Sequence, residues 1–232
     1  MRAAGTACPG AASELAGRAA ACEGCPNAAL CASGEAARRA ADEGAAVRKL
    51  SGVRNIIVVA SGKGGVGKST VACTLAREFV RTGFRTGLLD LDICGPSVPS
   101  MTGTRGASVQ ETLAGWSPVL SAEGIKLMSI EYLLERSSDA VIWRGPKKGA
   151  LIRQFLENVD WGELDMLLID TPPGTSDEHL SLAQLLKHFP RIGALVVGTP
   201  QKIAIADVEK EVGFLRAAEL PIIGVVENMA DS

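Results

Sequence analysis

Aromatic residues are scarce in this chain: one tyrosine, three tryptophans and five phenylalanines among 232 residues. Platforms that stack single-stranded bases depend on such rings, so that role is set aside. A basic excess is also missing. Lysine and arginine number 24 against 26 aspartates and glutamates, a formal net charge of −2, whereas binders of the phosphate backbone carry a surplus of cations. No apolar run approaches the length that crosses a bilayer. Histidine occurs only at His179 and His188. Nine residues apart in one helical segment, the two sit too far round to share a metal and read as structural or surface residues. What remains is an ordinary composition, 47% hydrophobic, suited to one α/β domain with a small appendage. A soluble, cytoplasmic protein is expected.

The appendage is the first stretch, Met1 to about Leu50, rich in alanine and glycine and poor in large apolar residues. Four of the six cysteines lie there, at Cys8, Cys22, Cys25 and Cys31, spaced C-x13-C-x2-C-x5-C. Disulfides are set aside, because the protein is expected in a reducing compartment. Four thiolates make a good tetrahedral shell for zinc, and the same set holds an iron–sulfur cluster around one tight C-x2-C pair. Spacing does not separate the two. A transit peptide would be poor in acids, yet Glu14, Glu23, Glu35, Asp42 and Glu43 interrupt the stretch. The expectation is a retained metal-binding extension, followed from Ala36 to Leu50 by a helical linker with a solvated, mixed-charge face. Residues 1–50 are thus assigned to extension and linker, and residues 51–232 to the main domain.

The main domain opens with the β-branched run Ile56-Ile57-Val58-Val59-Ala60, which reads as a strand buried on both faces. It empties into Ser61-Gly62-Lys63-Gly64-Gly65-Val66-Gly67-Lys68-Ser69-Thr70, a fit to G-x-x-x-x-G-K-[ST]. Leu75 and Phe79, four apart, then mark a helix that ends near Gly83. Strand, glycine loop and helix are the context in which such a loop binds phosphate: glycines let backbone N–H groups converge, and the helix N-terminus adds partial positive charge. Lys68 is expected to reach the β- and γ-phosphates and the Ser69 hydroxyl to hold Mg²⁺.

Further strands follow at Thr86–Leu91, 124–130, Leu164–Asp170, 194–197 and 222–226, with helices between them. The alternation predicts a doubly wound, mostly parallel sheet. Asp90 and Asp92 fall at the C-terminal end of the second strand, where such sheets hold ligands. Asp90 is placed nearer the metal, and Asp92 is the candidate to orient the attacking water. Leu167-Leu168-Ile169-Asp170 is a Walker B pattern, with Asp170 on the Mg²⁺ shell, and Pro172 to Gly174 form a switch sensing the γ-phosphate. Asp177 is expected to cap the next helix, and Asn228, just past the last strand, to hydrogen-bond the nucleotide base. Residues 103–121 show no periodicity and read as a mobile loop. Val141 to Lys148 opens another helix, whose Lys147 and Lys148 carry no specific role. Cys73 and Cys94 read as packing residues.

The additional lysine, Lys63, makes the loop K-G-G-x-G-K-[ST], which resembles the deviant loop of the MinD and nitrogenase iron-protein class. In that class the extra lysine crosses a dimer interface to the partner's nucleotide, so the resemblance implies that Lys63 joins Lys68 and Asp92 as a catalytic residue, in the manner of a trans arginine finger. Loop residues Gly62 to Thr70, with Asp90-Leu91-Asp92-Ile93-Cys94-Gly95-Pro96-Ser97, Trp143 to Lys148, Asp170 to His179 and the four N-terminal cysteines, resemble the Mrp/NUBP family of ATP-binding iron–sulfur carriers over nearly the whole chain. The resemblance implies a [4Fe–4S] cluster on Cys8, Cys22, Cys25 and Cys31. It implies ATP and Mg²⁺ at the glycine loop, and cluster assembly and transfer to cytosolic and nuclear apoproteins. The implied partners are a second copy or, in a heterotetramer, a smaller scaffold subunit, with apo iron–sulfur proteins and downstream assembly factors. Family members continue past the Glu-Asn-Met segment into a C-P-x-C motif holding a second cluster between subunits. Here no cysteine follows Cys94, so the expectation is either a chain shortened relative to the family or one that keeps only the N-terminal cluster. A non-catalytic nucleotide-binding scaffold or regulator, with zinc or a single cluster at its N-terminal site, is the alternative. A MinD-like positioning role finds no C-terminal amphipathic membrane helix to support it.

Overall fold

The computed structural model describes residues 13–25, 27–34, 49–134 and 145–230. Cys8, nearly all of the expected linker and residues 141–144 lie outside them. Two compact units divide between Ala45 and Ala46. In the first, a single 3₁₀ turn at Ala20–Cys22 precedes a short helix, α1 (Ala28–Ala32). Gly17, at φ +70, lies so close to α1 that a Cβ there would meet the Ala28 carbonyl at 2.3 Å. The Cys25 amide donates to the Cys22 carbonyl at 3.1 Å, closing the C-x2-C pair into a turn.

The second unit is built on a seven-stranded sheet. Its elements run β1 (Val53–Ala60), α2 (Lys68–Arg81), β2 (Thr86–Asp90), α3 (Val98–Met101), β3 (Gln110–Thr112), β4 (Gly115–Ser117), β5 (Val119–Leu120), β6 (Lys126–Ser129), α4 (Gly145–Asn158), β7 (Leu164–Asp170), α5 (Asp177–Leu186), β8 (Ile192–Gly198), α6 (Lys202–Ala217) and β9 (Ile222–Glu227). Strand order is β5-β6-β2-β7-β1-β8-β9. Every pairing is parallel except the edge strand β5, which runs antiparallel to β6. A mostly parallel sheet with flanking helices is the fold class that the alternation predicted.

Period-two burial makes the layers. In β1, Ile56 and Val58 face one core while Val59 faces the other; in β7, Leu167 and Ile169 oppose Leu168. The first core gathers Ile152, Phe155 and Leu156 of α4 with Leu182 and Leu185 of α5. The second gathers Ala72, Cys73 and Ala76 of α2. Leu50, assigned to the linker by sequence, is fully buried in the first core.

Helix α2 ends in a Schellman motif. The Gly83 amide, at φ +92, donates to Val80, the Phe84 amide donates to Phe79, and the two phenylalanine rings meet edge to face at 5.9 Å. Two local expectations are corrected. The stretch 103–121 contains the antiparallel pair β3–β4 and the edge strand β5; strands of two or three residues are too short to show a period. The residue before α5 is Ser176 and not Asp177, which is the first helical residue. Ser176 and His179 close that helix start reciprocally, its hydroxyl 3.0 Å and its amide 3.4 Å from His179 Nδ1.

Candidate functional site

Register brings the chemistry to one edge of the sheet. Asp170 is level with Val59 on one side and Asp90 on the other, and Asp90 is level with Ser129. All four stand at the carboxyl ends of parallel strands, where a doubly wound sheet opens its crevice.

The glycine loop turns out of β1 at Ser61 and enters α2 at Lys68. Gly67 is the N-cap residue and takes a left-handed φ of +80, which a side chain rarely adopts. Its missing Cβ also leaves space for Asn228, whose Nδ2 would otherwise lie 2.3 Å away. The same Nδ2 donates to the Val66 carbonyl at 2.9 Å. Asn228, read from sequence as a base contact, thus fastens the back of the loop with one amide hydrogen. Gly62 is equally constrained, since a Cβ there would strike the Asp207 carbonyl of α6 at 2.2 Å. Gly64 and Gly65 are exposed at the loop tip, Ser69 is half-buried and Thr70 exposed at the start of α2. The Lys63 ammonium lies 3.5 Å from Gln201 Oε1. The switch segment is tied to the loop through the Gly174 amide, which donates to Ser61 at 2.8 Å.

At the centre, Lys68 Nζ lies 2.5 Å from Asp170 Oδ1, with both side chains buried. Burial raises the Asp170 carboxyl above its ordinary range, while Lys68 and the Ser69 hydroxyl pull against that rise. Its second oxygen, Oδ2, is buried with no hydrogen-bond partner. An orphaned carboxylate oxygen beside a hydroxyl is the donor set a hard cation takes, so Ser69 and Asp170 fit Mg²⁺.

Asp90 is differently engaged. Oδ1 accepts from the Asp92 amide at 3.0 Å, and Oδ2 accepts from the Val98 amide and the Ser129 hydroxyl, each at 3.3 Å. Burial and then the Asp170 charge push its carboxyl up to about 8. Its observed contacts shape the 91–98 turn. Asp92 is half-buried, and its Oδ1 accepts from the Gly95 amide at 3.2 Å.

Beyond Asp92 lies an open cavity of about 430 Å³ between the 91–95 turn, the Pro172–Pro173 switch and the starts of α4 and α5. Two residues there were misjudged from sequence. Cys94 is exposed and lines this cavity. Lys148, taken as an unengaged surface cation, is half-buried and pairs with Glu178 Oε1 at 2.8 Å. Burial works against ionisation of Glu178, yet Lys148 and Ser176 hold its carboxyl down to about 2. The local signal was a lysine in the first turn of α4, a position that the helix dipole disfavours unless an anion compensates. Cys73, by contrast, is sealed in the core, and burial pushes its thiol up to about 12.

In the first unit, Cys25 is exposed and Cys22 and Cys31 are half-buried, all as free thiols. Among the described residues no three His, Cys, Asp or Glu side chains are gathered closely enough to hold a metal, and Cys8 lies outside those residues. No described helix is long and apolar enough to cross a membrane.

A parallel sheet whose central strand feeds a glycine loop, with the loop lysine meeting the aspartate of the adjacent strand, defines a P-loop NTPase. The chain belongs to the ParA family described as NUBPL iron-transfer P-loop NTPase, whose model matches residues 52–232. It is 53% identical over 225 residues to the cytosolic Fe-S cluster assembly factor NUBP1 homolog of Brugia malayi, covering 96% of this chain and 73% of that protein. Among solved structures it is similar to the nucleotide-binding protein of Archaeoglobus fulgidus in complex with ADP, in which cobalt was found. That match has 40% identity and a TM-score of 0.70, covering 81% of this chain and 71% of the other. The MinD cell division protein of Aquifex aeolicus, at 20% identity and a TM-score of 0.53 over 75% of this chain and 68% of the other, shares the fold.

Proposed function

We propose that the chain is an ATP-hydrolysing scaffold of cytosolic iron–sulfur assembly, which builds [4Fe–4S] clusters and passes them to apoproteins. The observation that carries the reading is the buried Lys68–Asp170 pair beside the Ser69 hydroxyl, in a chain 53% identical to a protein named as a cytosolic Fe-S cluster assembly factor. In this reading Lys68 and the backbone of residues 62–67 hold the triphosphate, Ser69 and Asp170 hold Mg²⁺, and Asp92 orients water at the open side. Mg²⁺ held there would supply charge neutralisation on the triphosphate. Lys63 completes the site of a second copy, so turnover requires two chains, and a smaller scaffold subunit is the heteromeric partner.

The cluster is cargo. Its proposed ligands are Cys8, Cys22, Cys25 and Cys31, on the chemistry of the donor set, and no step of hydrolysis is routed through it. Residues 1–50 serve as the cluster-bearing extension and residues 51–232 as the ATPase domain.

Anaerobic reconstitution with iron and sulfide, followed by elemental analysis and an absorption spectrum, tests the reading. Iron and sulfide in equal amounts, lost in Cys22→Ser/Cys25→Ser while ATP binding persists, is the expected result. A protein that takes up zinc and refuses iron overturns the cluster assignment. ATP turnover equal in the wild type, Lys63→Ala and Lys68→Ala overturns the hydrolase.

A further inference from the structure

The span between Asp170 and α5 is tied down at both ends. Thr171 gives its amide and its hydroxyl to the Val59 carbonyl, at 3.2 and 2.9 Å. The Gly174 amide donates to the Ser61 carbonyl at 2.8 Å, and Ser176 caps the helix. Between these anchors stand Pro172 and Pro173, which have no N–H to give. A hydrogen bond that steadies them must come from a donor elsewhere.

His179 is placed to be that donor. Its ring is 3% exposed and lies edge to face against Phe214 of α6, with ring centroids 6.0 Å apart. Nδ1 accepts from the Ser176 amide at 3.4 Å. An amide N–H only donates, and burial keeps the imidazole neutral by lowering it to about 4. The ring proton is therefore on Nε2. Nε2 is buried and completes no hydrogen bond in this arrangement, an unfavourable state for a donor. The backbone group within reach of the ring is the Pro172 carbonyl.

We infer that His179 is a positioning residue for the switch, its Nε2–H directed at the Pro172 carbonyl and steadying the span between Thr171 and Gly174. It acts at one remove from the chemistry. Pro172 borders the open side of Asp92, and the Gly174 amide joins the switch to Ser61, where the glycine loop begins. The effect on turnover rests on the proposed hydrolase; the contact itself does not.

Three variants separate positioning from capping. His179→Leu removes the cap and the donor together. His179→Gln offers a carbonyl to Ser176 and an N–H to Pro172. Ser176→Ala weakens the cap but keeps the backbone amide that sets the tautomer. Without nucleotide, exchange of the Gly174 amide, followed by NMR, is expected to quicken about fivefold in His179→Leu and to stay near the wild-type rate in the other two. With ATP and Mg²⁺, kcat is expected to fall about tenfold in His179→Leu at nearly unchanged KM, and to recover in His179→Gln. Should His179→Leu not fold, His179→Met takes its place. Gly174 exchange that is unaltered in His179→Leu, or quickened equally in Ser176→Ala, overturns the inference. So does a wild-type kcat in His179→Leu, or a kcat in His179→Gln no better than in His179→Leu. A wild type without turnover overturns the hydrolase instead, and the exchange rates then decide the role of His179 alone.

Discussion

The ammonium of Lys68 and the carboxylate of Asp170 satisfy one another at 2.5 Å, out of contact with water. Each is the group that a P-loop NTPase directs at a different part of the nucleotide, one at phosphate and the other at magnesium. Breaking such a pair from one side leaves an uncompensated buried charge, whereas removing both charges does not. Lys68→Met is therefore expected to lower stability by about 3 kcal/mol in urea unfolding. Adding Asp170→Asn should recover most of that loss. Nucleotide binding, followed by calorimetry, should be lost in the single lysine variant and remain lost in the double. Additive losses in the unfolding cycle would show that the pair is not coupled.

The second prediction concerns how the loop is held from behind. Gly67 has a left-handed backbone, and a Cβ there would collide with the Asn228 amide. Asn228→Ala removes one hydrogen bond to Val66 and should cost about 1 kcal/mol. Gly67→Ala suffers both the unfavourable φ and the collision, and should cost about 2–3 kcal/mol. In the double variant the collision is relieved while the strained φ stays, so its loss should fall short of the sum. Thermal unfolding of the four proteins measures this. A double variant as unstable as the sum would mean that the two residues do not share a constraint.

Much of this site was legible because its parts are local patterns. Ile56 to Ala60 and Leu167 to Asp170 are apolar runs, and a strand buried on both faces requires such runs, so the sheet's centre and its ligand edge followed from them. Lys68 sits in a fixed spacing of glycines that few other structures need. What escaped depends on residues distant in sequence. Nothing near Cys94 announces that Lys148 will arrive beside it, and nothing near Val66 announces Asn228. Asp90 and Asp92 were recognisable as a pair, but nothing local showed that the Val98 amide and the Ser129 hydroxyl would both claim Oδ2 of Asp90. The β3–β4 pair was invisible for a different reason, its strands being shorter than one readable repeat.

Glu211 supplies a prediction about pH. It is fully buried on α6, both of its oxygens lack a hydrogen-bond partner among the described residues, and burial pushes its carboxyl up to about 7. In the unfolded chain the same group ionises near its ordinary value of 4.5. Between those two values the unfolded state has lost its proton and the native state has not. Stability contributed here therefore falls as pH rises from about 4.5 to about 7, then stays level. Glu211→Gln removes that slope. At pH 8 the variant should be more stable than the wild type by on the order of 2–3 kcal/mol, and at pH 4.5 nearly equal to it. Urea unfolding across that range measures the difference, and a constant offset at all pH values would refute the assignment.

His179 should act in the opposite sense. Burial lowers its imidazole to about 4, the Glu178 charge offsetting part of that fall, and Nδ1 accepts from the Ser176 amide. The native state thus keeps it neutral over a range in which the unfolded chain binds a proton. Its contribution is full above about 6.5 and declines as pH falls towards 4. A His179→Asn variant should be less stable than the wild type at neutral pH, through loss of the reciprocal cap by about 1 kcal/mol, and should show a shallower acid decline. A decline of unchanged steepness would place the responsible proton elsewhere.

Lys63 offers the sharpest separation of binding from turnover. Its ammonium sits 3.5 Å from Gln201 Oε1 on a half-buried loop, a contact too long to carry much stability. Lys63→Ala should therefore unfold within about 0.5 kcal/mol of the wild type and bind nucleotide with affinity changed only a few-fold. If Lys63 completes the site of a second copy, as we propose, the same substitution should reduce ATP turnover by about 10³, the scale of a trans-supplied cation in phosphoryl transfer. Wild-type specific activity should then rise with protein concentration, and mixing Lys63→Ala with an inactive Lys68→Ala chain should restore part of the rate, because the hybrid pair contains one intact site. A rate independent of concentration, together with no recovery on mixing, would confine Lys63 to its own loop.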